Sequence, residues 1–538
     1  MVTRRDFLRG AAAAAGAAIF DLRPARGGPA ETGYFALNAF VEARPDAVFI
    51  YRTNVAAKTD TDAVRNAARA IGSTLFVSAP PGGGAIPVTS PVAVKPNMTS
   101  WSWDSQASTL PFEANMGIQT DANFVEGIID SLCDIAVPAS SVYIREANYT
   151  AGAIDGAWYG AMARRTGIDL SQTPPFPSLS AADTVWTEVP GGVWYARIPY
   201  LWPVNAPGSS LVNIAKFKSH SMGMTLCSKN QQGTNAQPYV AHCSAWNTPM
   251  SGVSAGDVVP GAFTTIKQNY ERHKETIPRW KTLDGDRHAG SAGGLWMETH
   301  TARCLDNNSV LHPLVNIIEG VYGREGPFVT GPGPGGLGVD VMANVVIFGK
   351  NARHVDLIGA YLAGHEPGNF GLYHIARERG LSLYLNPFEV PLFEWKSNGS
   401  ATAAALGSFT RTPIRTLYLP QAGEEKYHMV DQPFDYRTTS APRAAAPHGG
   451  PDALAIEQNF PNPFNPTTSI QYFIPRAGHV RLEIRDARGA LVDVLLDGPA
   501  GAGDHMVTWQ AARRASGTYF YRILFDGIRR TRSMVLIR

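Results

Sequence analysis

The segment that decides the fold lies at residues 91–146 and contains PVAVKPN (91–97), DANFVEGIIDSLCD (121–134) and SVYIRE (141–146). PVAV and SVYIR are short, mostly apolar runs of the kind that form buried strands. Between them, apolar residues recur at helical spacing from Phe124 to Leu132, and Thr120 or Asp121 occupies the position of the N-cap. A strand, a helix and a second strand in this order predict two parallel strands joined by a crossover helix.

The same alternation of strands and helices continues towards the C-terminus. Apolar runs predict strands at residues 211–215, 314–318 and 345–348, and helical spacing predicts helices at 153–165, 354–362 and 372–379. The predicted fold class of residues 31–437 is therefore α/β, with a mainly parallel sheet flanked by helices. Ligands of such sheets bind beyond the carboxyl ends of the strands, so the polar residues that follow each strand are the candidates for a functional site.

The C-terminal part of the chain has a different pattern. Residues 438–454, TTSAPRAAAPHGGPDAL, predict a linker, and alternating runs between 480 and 537 predict a small all-β sandwich over residues 455–538. The motifs QNFPNPFNPTT (458–468) and GTYFY (517–521), with the basic tail at 529–538, resemble the type A sorting domain of type IX secretion, an Ig-like β-sandwich. The resemblance implies an address for the cell surface, not a catalyst.

The N-terminus carries the pattern of an export signal. TRRDFL at residues 3–8 precedes an uncharged run from residue 10 to residue 20, which is too short to span a bilayer. The paired Arg4 and Arg5 followed by Phe-Leu resemble a twin-arginine signal peptide, which we assign to residues 1–30. The two ends together predict a protein that is exported to the periplasm and then to the cell surface or medium, with the export and sorting machinery as partners.

Composition excludes several classes of protein. Hydrophobic residues make up 44% of the 538 residues and charged residues 17%, which excludes wholesale disorder. The formal net charge of +2 argues against a nucleic-acid binder. After the N-terminus no run of about 18 apolar residues occurs, so no transmembrane segment is expected. The four cysteines include no C-x-x-C pair.

Polar residues that could carry chemistry follow the predicted strands, most densely between residues 216 and 233. Lysines at such positions bind phosphate or carboxylate groups, and a histidine among them transfers protons. We therefore predict His220 and Lys218 as catalytic residues and an anionic small molecule as ligand. The predicted ligand-binding residues are Lys95, Asn97, Lys216, Lys229 and Asn230. Three carboxylates are candidates to hold a divalent cation, namely Glu146, Glu319 and Asp356.

These residues also carry a family resemblance. VKPN (94–97), NIAKFKSH (213–220) and TLCSKN followed by Gly233 (225–233) resemble the family known as domain of unknown function 362. The resemblance implies an α/β fold and no established activity, and many members of that family carry an iron–sulfur ferredoxin segment. The present chain lacks the C-x2-C-x2-C-x3-C run that such a segment requires, so we do not expect an iron–sulfur cluster.

Three functional hypotheses remain open from the sequence. The first is an exported enzyme that acts on an anionic small molecule, and the second is a surface protein that captures such a molecule without chemistry. The third is a scaffold derived from iron–sulfur family members that has lost the cluster. Cys227 and Cys243 flank the Lys/His segment, and they are either an oxidised pair, a reactive thiolate near lysines, or buried unpaired thiols.

Overall fold

The computed structural model describes residues 33–98, 110–147, 158–170, 178–179, 183–240, 252–282 and 293–436. In the C-terminal part it describes residues 454–456, 459, 464, 466–501, 503–511 and 514–536. The chain divides into two units, of which the first ends at Phe434 and the second comprises Arg377–Gly380 and Asp435–Arg538. The predicted signal peptide at 1–30 and residues 438–453 of the predicted linker lie outside the described residues.

The strands of the first unit are β1 (Tyr34–Leu37), β2 (Val48–Arg52), β3 (Phe76–Ala79), β4 (Ile86–Pro87), β5 (Val92–Pro96), β6 (Val142–Ile144), β7 (Thr184–Glu188), β8 (Arg197–Leu201), β9 (Ser210–His220), β10 (Gly223–Thr225), β11 (Val315–Thr330), β12 (Leu337–Gly349), β13 (Leu392–Trp395) and β14 (Ala401–Ala403). The helices are α1 (Ala39–Glu42), α2 (Thr61–Leu75), α3 (Ala122–Asp134), α4 (Tyr159–Thr166), α5 (Cys227–Asn230), α6 (Ala262–His273), α7 (Gly294–Val310), α8 (Ala352–Leu362) and α9 (Gly371–Glu378).

A nine-stranded sheet forms the centre of the first unit, in the order β14-β13-β2-β12-β11-β9-β5-β6, with β10 paired to β9. The pairs β13–β2, β11–β9, β9–β5 and β5–β6 are parallel, which confirms the predicted α/β class with a mainly parallel sheet. Strand β12 is antiparallel to both β2 and β11. It reverses direction because β11 and β12 form a long hairpin, whose connection passes through Gly335 and Gly336 at φ values of 69° and 74°.

Helices α2 and α3 pack against each other and against one face of this sheet. Their close approach requires glycine, because a Cβ at Gly72 would collide with the side chain of Ser131, and a Cβ at Gly127 would collide with the backbone of Arg65. Helix α3 begins at the predicted position, and the side chain of Asp121 accepts hydrogen bonds from the backbone of Asn123 and Phe124. The start of α3 lies beside the carboxyl end of β5 and beside Ile214 within β9.

Helix α7 is buried on nearly all sides although its sequence is largely polar. Several of its polar side chains form hydrogen bonds with neighbouring segments. The Asp306 carboxylate accepts hydrogen bonds from the backbone N–H groups of residues 193, 194 and 195, at 2.7–3.0 Å. The Asn308 amide donates to the Ser228 carbonyl (3.0 Å) and to Gln231 Oε1 (2.9 Å). These bonds hold α7 against α5, which follows directly on β10.

Several boundaries differ from the sequence prediction, since β9, β11 and β12 are all longer than the predicted strands. Residues 216–220 belong to strand β9, whereas the sequence predicted that they follow the strand. The polar side chains interrupt the apolar pattern from which the strand was predicted. Backbone pairing with β10 and β11 nevertheless continues through Lys218. The helix predicted at 153–165 is described only from Tyr159, because residues 151–157 lie outside the described part of the chain.

The second unit is all β. Its strands are β15 (Ala455–Ile456), β16 (Thr467–Ile474), β17 (Gly478–Asp486), β18 (Leu491–Ala500), β19 (Gly503–Gln510), β20 (Gly517–Phe525) and β21 (Ile528–Leu536). They form two antiparallel sheets, β15-β16-β19 and β18-β17-β20-β21. Apolar side chains from both sheets share one core, for example Ile470 and Trp509 from the first and Leu482 and Tyr521 from the second. The predicted small β-sandwich is confirmed.

Among the described residues, no helix has both the length and the hydropathy that a membrane crossing requires.

Candidate functional site

Strand β9 carries three of the predicted site residues on one face. Lys216, Lys218 and His220 alternate with Phe217 and Ser219, so their side chains point to the same side of the strand. Lys216 lies beside Glu319 of β11 in parallel register, and the register shifts between Glu319 and Arg324, so that Lys218 lies beside Arg324. Because β9 is long, its basic residues lie beyond the carboxyl end of the neighbouring strand β5.

Two of the four predicted lysines are neutralised by buried carboxylates. Lys95 Nζ lies 2.9 Å from Glu146 Oε2, and Lys216 Nζ lies 2.5 Å from Glu319 Oε2. All four side chains are at most 3% exposed. Burial raises the pKa of Glu319 to about 7, against the opposing effect of the Lys216 ammonium group. The first ion pair links β5 to a residue just after β6, and the second links β9 to β11. Each pair contributes no net charge when both members are ionised.

The other two lysines have no carboxylate partner within the described residues. Lys218 is buried, and its Nζ donates one hydrogen bond, to the Pro327 carbonyl at 2.9 Å. Burial, followed by the charges of Lys229, Arg324 and Lys216, lowers the pKa of Lys218 well below its ordinary value. The half-buried Lys229 forms no hydrogen bond or ion pair with any residue that the structure describes. These two lysines leave uncompensated positive charge at the strand ends.

Two histidines lie beside these lysines. Burial, together with the charge of Lys229, lowers the pKa of both His220 and His300 well below the ordinary value, so both imidazoles are neutral near pH 7. The Met222 N–H donates to His220 Nδ1 at 3.2 Å, so the ring proton of His220 resides on Nε2. His300 Nε2 lies 3.3 Å from Cys304 Sγ, one helical turn along α7, while His300 Nδ1 is buried without a partner. We call Lys218, Lys229, His220 and His300 the basic cluster.

Asn230 positions the neighbouring residues. Its side-chain oxygen accepts from Lys95 Nζ (3.0 Å), and its amide nitrogen donates to the Lys95 carbonyl (3.0 Å) and to Asn213 Oδ1 (2.8 Å). Asn97 Nδ2 also reaches Asn230 Oδ1, at 3.4 Å. Gly233 packs directly on the Lys95–Glu146 pair, and a Cβ at that position would collide with both side chains. The Lys-Asn-x-x-Gly segment therefore fixes α5 to the end of β5.

The three carboxylates predicted as metal ligands do not form one site. Glu146 and Glu319 are engaged by lysines, and Asp356 accepts hydrogen bonds from the backbone N–H groups of Cys227 (2.7 Å) and Ser228 (2.8 Å). Asp356 thus anchors the start of α5 from helix α8, and burial raises its pKa to about 6. Among the described residues no group of three or more His, Cys, Asp or Glu is placed to hold a metal ion. The site residues therefore do not fit the predicted divalent cation.

Comparison with protein families places the basic cluster within a known domain. The profile described as "Domain of unknown function (DUF362)" matches residues 92–361, which is half of the chain. The chain belongs to the DUF362 family. The matched DUF362 region runs from β5 into α8 and contains every site residue predicted from the sequence. A search of curated proteins finds no match.

Within the DUF362 domain, Cys227 is a buried free thiol, and Cys243 lies outside the described residues. Burial and the nearby Asp356 carboxylate raise the pKa of Cys227 well above its ordinary value, which disfavours a reactive thiolate. The sequence did not identify His300 as a site residue, and Glu298, two residues before it, bonds His273 at 2.7 Å. The one signal for His300 was its spacing of four residues from Cys304, which places both side chains on one face of a helix.

Proposed function

We propose that this DUF362 protein is an exported enzyme that binds an anionic small molecule at the basic cluster, with His220 as the proton-transfer residue. The observation that carries the proposal is the distribution of charge among the four lysines. Lys95 and Lys216 are paired with buried carboxylates, whereas Lys218 and Lys229 have no described counterion. Burying a cation without a counterion is costly, and an anionic ligand placed between these lysines would supply the missing charge.

The protonation states support a role in catalysis as well as in binding. A neutral imidazole whose proton lies on Nε2 can donate that proton to a substrate atom on which negative charge develops, and the lowered pKa of His220 keeps its ring neutral. Fixed ammonium groups beside it would stabilise negative charge that develops on the substrate. A protein that only captures an anion needs the lysines but has no use for the neutral imidazoles of His220 and His300. This difference favours the enzyme over the capture protein.

Binding is tested by calorimetry with inorganic phosphate and with acetate as probes. We expect Lys229→Met to weaken the binding of the preferred anion by about tenfold or more, because it removes a cation that nothing else replaces. Lys267→Met is the matched control, since Lys267 is exposed on α6. Equal affinities in both variants and the wild-type protein would contradict an anion site at the basic cluster.

Catalysis is tested by screening phosphate esters and carboxylic esters for turnover. We expect His220→Gln to abolish the turnover of an accepted substrate while its affinity changes by less than about threefold. If the wild-type protein binds anions but converts none of the panel, the capture hypothesis replaces the enzyme.

Export is proposed on the pattern of residues 1–30, and sorting to the surface on the motifs of the C-terminal unit. Replacement of both Arg4 and Arg5 by Lys is expected to retain the protein in the cytoplasm, whereas Arg9→Lys, outside the paired motif, serves as the control. Cell fractionation with immunoblotting distinguishes the compartments. Export that survives the double replacement would exclude the twin-arginine route.

A further inference from the structure

A group of buried polar atoms beside the basic cluster has no partner among the residues that the structure describes. Gln119 is 2% exposed, and neither its Oε1 nor its Nε2 forms a hydrogen bond with any of them. Asn97 Oδ1 and Glu319 Oε1 are also unpartnered, and these side chains are 3% and 0% exposed. Buried polar atoms in proteins nearly always have a partner, so unpartnered atoms at neighbouring positions indicate that something else supplies the hydrogen bonds.

Hydrogen bonds link the three segments that carry these atoms. The Thr120 N–H donates to the Asn97 carbonyl at 2.8 Å, and the Thr120 hydroxyl accepts from the Asn97 N–H at 2.9 Å. The Asp121 N–H lies 3.4 Å from Glu319 Oε2. Gln119 immediately precedes these two residues in the turn between β5 and α3. The end of β5, Glu319 within β11 and the turn before α3 therefore meet at one place, which we call the amide subsite (Asn97, Gln119, Glu319).

The amide subsite adjoins the basic cluster through two connections. Glu319 is paired with Lys216, which lies two residues before Lys218 on the same face of β9. Asn97 contacts the side chain of Asn230, which directly follows Lys229. The amide subsite and the basic cluster are therefore adjacent in the structure.

We propose that the amide subsite binds hydroxyl groups, and that the ligand of this protein is a polyhydroxylated anion such as a sugar phosphate or a sugar acid. This inference rests on the proposed function for the anionic half of the ligand. Three of the unpartnered atoms accept hydrogen bonds and one amide group donates them. Hydroxyl groups both donate and accept, so a chain of hydroxyls satisfies all of them. An anion with an alkyl chain would leave them buried without partners, and sites of this kind reject ligands that lack the required hydroxyl group.

The test uses pairs of anions that differ only in their hydroxyl groups. Glycerol 3-phosphate is compared with n-propyl phosphate, and glycerate is compared with propionate, by calorimetry on the full chain. We expect the wild-type protein to bind the hydroxylated member of its preferred pair at least about tenfold more tightly. Equal affinity within both pairs would overturn the inference, because water alone would then satisfy the polar atoms.

Variants test whether the amide subsite causes any preference for the hydroxylated anions. Gln119→Leu removes both polar atoms at similar volume, and it is expected to reduce the preference to about threefold or less while the affinity for n-propyl phosphate or propionate stays the same. Gln268→Leu on the exposed side of α6 is the matched control. A preference that survives Gln119→Leu overturns the assignment.

The outcomes separate the inference from the proposed function. If the wild-type protein binds none of the four anions, the anion site itself is wrong and the inference fails with it. If it binds them without regard to hydroxyl groups, the inference alone fails. The wild-type comparison holds even where Gln119→Leu does not fold.

Discussion

Lys216 and Lys218 show how neighbouring positions on one strand acquire different roles. Both are buried on the same face of β9, but within the described part of the chain only Lys216 has a carboxylate within 4 Å. A cation with a buried partner serves the fold, because removing either member leaves an uncompensated charge. A cation without such a partner is available to a ligand. Residue type alone does not distinguish these roles, because both positions are lysines in the sequence.

Lys216→Met is expected to destabilise the protein by about 3–5 kcal/mol, because it leaves the buried Glu319 without its partner. The double variant Lys216→Met with Glu319→Gln is expected to recover most of that loss, since no uncompensated charge remains. Urea denaturation of the wild-type protein, Lys216→Met, Glu319→Gln and the double variant measures both effects. A single variant as stable as the wild-type protein would contradict the assignment of this pair as structural.

Glu319 makes stability depend on pH in a defined direction. Its pKa in the folded protein is raised to about 7 from 4.5, so between these values the folded state holds a proton that the unfolded state has lost. The contribution of Glu319 to stability is therefore highest at low pH and falls as the pH rises from about 4.5 to about 7. Stability measured against pH for the wild-type protein and Glu319→Gln isolates this contribution. A difference that stays constant over this range would contradict the raised pKa.

Short elements position the basic cluster, and α5 is the clearest case. This helix has only four residues, and its first two N–H groups are bonded by Asp356 from α8. Gly233 then brings the end of the segment against Lys95 and Glu146. Tertiary contacts, not helix propensity, thus determine where Lys229 lies.

Asp356→Ala is expected to cost about 1–2 kcal/mol of stability, because two backbone N–H groups lose their acceptor. It is also expected to weaken anion binding, since Lys229 follows the capped residues. Asp356→Asn keeps one acceptor oxygen and should lie between Ala and wild type. Thermal unfolding and phosphate calorimetry report the two effects. Unchanged binding in Asp356→Ala would show that the cap does not position Lys229.

Gly233→Ala is expected to destabilise the protein by about 1–3 kcal/mol, because the added Cβ collides with the buried Lys95–Glu146 pair. Gly407→Ala is the matched control, since a Cβ there meets nothing within 4 Å. Chemical denaturation compares the two. Equal effects would contradict the close packing of α5 on the end of β5.

At the scale of the whole molecule, the order of elements was readable from the sequence, but several contacts were not. The apolar runs predicted β5, α3 and the sandwich because their periodicity reports burial directly. The prediction ended β9 at residue 215, because the basic residues after it interrupt the apolar run. His300 and Gln119 were missed, since each acquires its role only through residues distant in sequence. The partners of the three predicted metal ligands could not be read from the sequence either, because lysines and backbone amides distant in sequence engage these carboxylates.

The measurement that tests the basic cluster most directly is sulfate binding by calorimetry from about pH 6 to about pH 10, in pairs of buffers with different ionisation enthalpies. Sulfate does not titrate in this range, so any proton exchanged comes from the protein or the buffer. Because burial and neighbouring cations lower the pKa of Lys218, a bound anion should raise that pKa, and binding should be accompanied by proton uptake. We expect this uptake in the wild-type protein and its loss in Lys218→Met. Sulfate that does not bind, or that binds without proton uptake across the range, would contradict an anion site built on Lys218.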